Sequence, residues 1–384
     1  MRDFTSDKVK NIKPSGIRKF FDIASKIEDC ISLGVGEPDF ETPWHITEEG
    51  IYALEKGKTF YTSNLGLEEL REEIVKWNKR KYAISYTKEE VIVTVGGSEA
   101  IDIALRGCIN PGDEVIILEP SYVCYTPDVI MAGGVPKIIN LKNENKFRLT
   151  ASELESAITP NTKIVILNYP NNPTGAIMER SDLEAIAEVI IKHDLMVISD
   201  EIYSELTYGK THSSIASIKG MKERTLVVNG FSKAFSMTGW RLGYVMGPKA
   251  IMSQIIKIHQ FVIMCASTPS QYAGLEALRH GDEDVLRMKE EYDRRRNYLL
   301  SEFKRLDLPC FNAEGAFYLF PSIKKFGLSS EEFATKLLEE EHLVVVPGTA
   351  FGDSGEGFIR ISYAYSLDDL KEAMSRLERF IKSL

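Results

Sequence analysis

A chain of 384 residues, 43% hydrophobic and 27% charged, has ordinary globular composition and is long enough for about two domains. Its 56 acidic against 47 basic side chains leave a formal charge of −9, which argues against a general nucleic-acid binder or a membrane-surface protein. Cys30, Cys108, Cys124, Cys265 and Cys310 are widely spaced without a C-x-x-C, and the histidines are scattered without an H-E-x-x-H. Reduced thiols and no metal are therefore expected.

The first residues lack the apolar core of a signal peptide and no run reaches transmembrane length, which points to a soluble cytoplasmic protein. In chain order, a short apolar run at Ile31–Leu33 comes first. Strand candidates follow at Val91–Val95, Glu114–Leu118, Lys163–Asn168, Met196–Ser199, Thr225–Val228 and Leu242–Met246. Several are apolar on both faces, as strands covered by helices on both sides are. Helical spacing falls between them at Ser98–Cys108, Tyr122–Ala132 and Ser181–His193, with Pro111-Gly112-Asp113 and Gly133-Gly134 as punctuation.

The last third reads differently. Long helical patterns at Pro248–Arg279 and Glu283–Arg305 lead to short strands at Ala316–Phe320, Leu343–Val346 and Phe358–Ser362. A final helix carries Leu370, Met374, Leu377, Ile381 and Leu384 on one face. The expected architecture is α/β: a large domain over 46–280, with a mostly parallel central sheet covered by helices. A smaller α+β domain is expected from the two ends of the chain, 1–45 and 281–384.

Ligands of open parallel sheets bind beyond the carboxyl ends of the strands, so the residues just after each strand carry most information. Gly97 and Ser98 open a helix after the first long strand, a place that suits a phosphate. Asn172, held extended before Pro173, can point its amide into a cleft. Asp200 and Tyr203 follow the strand Met196–Ser199, and the carboxylate could pair with a protonated ring nitrogen.

Lys233 and Arg241 lie in the run from Asn229 to Arg241, just after a strand. The amine can condense with an aldehyde and the arginine fork suits a phosphate; pyridoxal 5'-phosphate carries both groups. Tyr122 could stack on a flat ring, Tyr61 could donate to a phosphate, and Arg360 could clamp a carboxylate. Each has a plain alternative as a cap, a turn, a core aromatic or a solvated charge. Their succession at strand ends makes independent accidents a poor account.

The sequence resembles a fold-type I, pyridoxal-phosphate-dependent aminotransferase of the class I/II group, of the archaeal aromatic/aspartate type. Asn-Asn-Pro-Thr-Gly (171–175), Ser-Asp-Glu-Ile-Tyr (199–203) and Phe-Ser-Lys-Ala-Phe-Ser-Met-Thr-Gly-Trp-Arg-Leu-Gly (231–243) carry the resemblance. Gly-Val-Gly-Glu-Pro-Asp-Phe (34–40) and Gly-Phe-Ile-Arg-Ile-Ser-Tyr (357–363) extend it to both ends.

The resemblance implies that Lys233 forms the internal aldimine and Asp200 keeps the pyridine nitrogen protonated. Tyr203 and Asn172 would bond the phenolic oxygen, lowering the aldimine's proton affinity. Tyr122 would stack on the ring, and Gly97, Ser98, Ser232 and Arg241 would bind the phosphate. Tyr61 would reach that phosphate from a second subunit of a homodimer. Arg360, with Asn172 and the Gly36 backbone, would bind the substrate carboxylate.

The implied activity is ping-pong transfer of the amino group of an L-amino acid, aromatic by overall similarity, to 2-oxoglutarate. An aspartate- or alanine-preferring aminotransferase, a lyase of the same fold and a cofactor-binding regulator are the alternatives. Two departures stand out. Gly230 replaces a serine that some relatives carry. No arginine lies between 242 and 278 to meet a distal carboxylate, although Lys249 or Lys257 could serve.

Overall fold

The strands of the middle of the chain are apolar on both sides because both faces of their sheet are covered. The computed structural model describes residues 2–10, 12 and 29–384. After β1 (Ile31–Ser32) come β2 (Val91–Thr94), β3 (Glu114–Glu119), β4 (Val135–Asn140) and β5 (Thr162–Asn168), then β6 (Met196–Asp200), β7 (Thr225–Gly230) and β8 (Gly243–Met246). All but β1 form one sheet in the order β2-β8-β7-β6-β5-β3-β4. Its pairs are parallel except those that β8 makes with β2 and β7.

On β3, Ile116 and Leu118 pack with Val165, Leu167 and Val197 on one face. Val115 and Ile117 pack with Ile164, Ile166 and Ile198 on the other. Each such side chain contributes ~1.5–3 kcal/mol of burial. Helix Arg180–Lys192 covers the first face with Leu183, Ile186 and Ile190. Helix Gly96–Cys108 covers the second with Ile101, Ile103 and Leu105.

The structure differs from the sequence expectation in several elements. β4 is an additional strand at the sheet edge, where Val135-Pro-Lys-Ile-Ile-Asn140 is half exposed and carries no apolar run. An edge strand can hold a proline and a lysine that would deny a central one. The helix expected from Tyr122 starts at Tyr125, leaving Tyr122 on the approach to it. The long pattern at 248–279 is two helices, Lys249–Val262 and Thr268–His280, and Pro269 sits in the first turn of the second. Helices Trp44–Glu55 and Glu68–Tyr82 pack on Thr268–His280.

In the remaining part, β9 (Tyr318–Leu319), β10 (Leu343–Val344), β11 (Val346–Pro347) and β12 (Ile359–Ser362) are short. β12 lies between β11 and β9, antiparallel to both. β1 pairs in parallel with β10, with Ile31 opposite Leu343. Helix Leu367–Ser383 buries Leu370, Met374, Leu377 and Phe380, and it is capped by Ser366, which accepts from Asp369 N at 3.1 Å. Leu384, expected on that apolar face, lies past the helix end and is half exposed. Of the segment 1–45 expected in the smaller domain, residues 1, 11 and 13–28 lie outside the described residues.

Candidate active site

The carboxyl ends of β5, β6 and β7 open on a cavity of about 300 Å³. Every residue nominated from the sequence for the cofactor or the α-carboxylate lines it except Tyr61. At one end, Gly97 and Ser98 belong to the first turn of helix Gly96–Cys108, whose leading N–H groups have no partner within the helix. Arg241 folds back over this turn. Its Nη1 donates to Thr238 O at 2.9 Å, and its Nη2 lies where a Cβ on Gly96 (φ +76°) would come within 2.7 Å. Ser232 is buried beside them. A helix start, a guanidinium and two hydroxyls make a strong anion site.

Gly230 lies opposite Gly243 across β7 and β8. A Cβ on Gly230 would meet Leu242 O at 3.0 Å, so here the strand leaves little room for the serine of some relatives.

At the far end of β6, Asp200 is buried. Its Oδ2 accepts from Tyr125 Oη at 2.6 Å and its Oδ1 from Ile202 N at 3.2 Å. Burial nevertheless pushes its carboxyl up to about 6. A cation at this place would be strongly favoured.

Between the two ends, Lys233 Nζ donates to Gly36 O at 2.7 Å. Burial lowers this amine to about 8, with Arg360 and Arg241 adding repulsion and Glu37 opposing the shift. Arg360, on β12, is enclosed. Its Nη1 donates to Asn172 Oδ1 at 2.9 Å, its Nη2 bonds Gly34 O, and its Nε is buried without a partner among the described residues. With Asn172 Oδ1 occupied, that side chain's N–H groups remain as donors. Tyr203 Oη is 2.7 Å from Tyr318 Oη, and Tyr122 stands edge-on to Tyr125 at 5.9 Å. Tyr61 lies outside the cavity and is 80% exposed.

The cavity also takes in residues that the sequence reading passed over. Tyr125 follows Tyr122 by one helical turn, a signal that was available. Tyr318 fell inside a short strand and Asn168 at the end of another, and neither carried a mark. Lys249 and Lys257 do not line the cavity, and Lys257 Nζ is bonded to Gln254 Oε1 at 2.7 Å. Among the described residues no group of three His, Cys, Asp or Glu side chains could hold a metal ion. No described helix is long and apolar enough to cross a membrane.

Residues 28–377 match the family described as Aminotransferase class I and II. The chain belongs to this family. It is 45% identical over 381 residues to the aromatic-amino-acid aminotransferase 2 of Thermococcus litoralis, covering 98% of each chain. It is 46% identical over 381 residues to the aspartate aminotransferase of Pyrococcus abyssi, again covering 98% of each. The solved aspartate aminotransferase of Thermus thermophilus with maleate superposes with a TM-score of 0.95 at 38% identity, over 99% of this chain and 100% of that one. As a class I and II aminotransferase the protein is an enzyme, a transferase of a family that depends on pyridoxal 5'-phosphate. Its mostly parallel sheet with covering helices is the fold-type I architecture.

Proposed function

We propose that the cavity is the active site of an aminotransferase that takes the amino group from an aromatic L-amino acid and passes it to 2-oxoglutarate. The observation that carries this reading is the convergence of a half-buried amine, a buried carboxylate and an anion cradle on one cavity. These residues fit the family's cofactor. The helix start with Ser98, Ser232 and Arg241 suits its phosphate, Asp200 its ring nitrogen, and Tyr122 its ring face. Residues 46–280 would form the cofactor-binding domain, with 1–45 and 281–384 as the smaller one.

When bound, pyridoxal 5'-phosphate supplies an aldehyde carbon that takes up the amino group and a ring that accepts electrons from the broken Cα–H bond. Lys233 Nζ would act as the general base that takes the Cα proton and as the general acid that returns it. Asp200 would hold a proton on the cofactor's ring nitrogen, and Tyr125 steadies that carboxylate. Tyr203 and Asn172 would donate toward the phenolic oxygen. Arg360 holds the α-carboxylate, and its unpartnered Nε is a donor in want of an acceptor. By fixing the carboxylate with Asn172 and the Gly36 backbone, Arg360 selects which Cα bond is broken. Because the amino group is stored between half-reactions, the acceptor enters after the first oxo acid leaves.

The aromatic preference draws support from the lining. Lys233, Arg241 and Arg360 are its cations and all three have roles, while Tyr122, Tyr318, Val35, Ile101 and Ile202 are neutral. An aspartate preference is favoured instead by the name of the Pyrococcus abyssi relative. A homodimer accords with Tyr61, Phe60, Phe261 and Val262, which stand exposed where Asn64 Nδ2 bonds Met264 O at 2.8 Å and joins the two segments. Free thiols at all five cysteines accord with the cytoplasm.

The test is the visible spectrum of the cofactor-loaded protein with L-tyrosine and no oxo acid. Loss of the cofactor band, with about one oxo acid formed per site and reversal by 2-oxoglutarate, is the expected result. A band that tyrosine leaves untouched while aspartate removes it would replace the aromatic reading with the dicarboxylate one. Continuous product formation without an acceptor would mean a lyase.

A further inference from the structure

Tyr318 belongs to none of the motifs that mark the site, yet it touches three groups on which the proposed reaction depends. It stands on β9 opposite Ser362 of β12, two residues from Arg360 along that strand. Its hydroxyl oxygen is 2.7 Å from Tyr203 Oη. Its ring carries the Arg360 guanidinium, with Cζ 4.4 Å from the ring centroid. Its hydroxyl also fills the space beside Gly36, where a Cβ would overlap it. The Gly36 carbonyl is the acceptor for Lys233. Tyr203, Tyr318 and Arg360 are all buried.

We infer that Tyr318 is a positioning residue for the reaction proposed above: its O–H aims the Tyr203 O–H into the cavity, and its ring sets the plane of the Arg360 fork. This inference rests on that reading of the site. A phenol has one proton to donate and lone pairs to accept. With Tyr203 donating toward the phenolic oxygen, as the reading above has it, the 2.7 Å bond between the two hydroxyls takes its proton from Tyr318. Tyr203, its lone pair occupied, is left to donate toward the cavity, and two linked O–H groups polarise each other. The ring works separately from the hydroxyl. The buried Arg360 packs on its face, and because a cation–π contact is strongest when enclosed, the planar fork is turned toward one orientation.

Two variants separate the two roles. Tyr318→Phe keeps the ring and removes the oxygen; Tyr318→Leu removes both. Each is loaded with pyridoxal 5'-phosphate and its visible band is titrated with pH. The affinity for 3-phenylpropanoate, a carboxylate without an amine, is measured by calorimetry.

The Phe variant is expected to move the midpoint of the band upward by at least about half a pH unit, since a less directed Tyr203 stabilises the phenolic oxygen less. It is expected to bind phenylpropanoate within about twofold of the wild type. The Leu variant is expected to lose about tenfold in phenylpropanoate affinity as well, the scale of one desolvated cation–π contact. A Phe midpoint that stays or falls, or a Leu variant that binds phenylpropanoate like the wild type, overturns the inference. A Lys233→Ala protein that still transaminates would instead sink the reading of the site, and the two failures are told apart.

Discussion

A lysine enclosed with two arginines is an expensive residue, and Lys233 shows how the site uses that expense. Burial brings its amine from 10.5 to about 8, so near neutral pH a useful fraction is uncharged and nucleophilic. The folded protein therefore holds this proton less tightly than the unfolded chain. The penalty is complete below about pH 8 and gone above 10.5. Lys233→Met is expected to stabilise the cofactor-free protein by on the order of 2–3 kcal/mol at neutral pH. Urea unfolding should show that gain vanish toward pH ~10.5; a gain independent of pH would refute the account.

Asp200 is the mirror case, held up at about 6 by burial. A cationic ring nitrogen would draw it down, so cofactor binding should release its proton. Affinity measured on cofactor-free protein is expected to fall as pH drops below about 6, and Asp200→Asn should lack that component. The same variant is expected to lose at least about 10²-fold in kcat, since breaking a buried ion pair costs ~3–5 kcal/mol. Both residues were legible in the sequence, because an amine and a carboxylate after successive strands have few other uses in combination. Tyr318 was not, because nothing in a tyrosine's neighbours distinguishes one that packs from one that donates.

At the scale of elements, the anion cradle depends on how closely β8 passes the start of helix Gly96–Cys108. A Cβ on Gly243 would sit 2.6 Å from Gly96 C and 2.8 Å from Gly97 N. Gly243→Ala is thus expected to push the helix start aside and to weaken cofactor retention about tenfold, the value of roughly one charge-assisted hydrogen bond. Gly239→Ala, whose Cβ would meet nothing within 4 Å, is the control. Equal retention in the two variants, measured by dialysis, would dismiss the close approach as unimportant. The central strands were readable because two-sided burial forces continuous apolar runs. β4 was not, since an edge strand with one covered face tolerates Pro136 and Lys137. The break at 263–267 escaped as well, because the apolar period runs on from one helix into the next while the chain between them turns away.

For the whole molecule, the question is what completes the phosphate end of the site. Tyr61 and Phe60 are 80% and 82% exposed, and Phe261 is 86% exposed, on the surface proposed above for the homodimer contact. If Tyr61 serves the other subunit's site, Tyr61→Phe and Lys233→Ala are complementary defects. Unfolding and refolding an equal mixture is expected to yield some sites with both residues intact and full cofactor affinity. A mixture no better than its two parents would place Tyr61 in its own chain's site or in none.

The sequence by itself determined the chemistry on offer and the alternation of strands and helices, since both depend on residue type and local period. Only the tertiary structure decided that Arg360, from a late strand, meets Asn172 and Gly34 around one cavity, and that Tyr318 lies beneath it. Arg360 is 188 positions from Asn172 and 326 from Gly34, and long-range packing leaves no period or spacing along the chain.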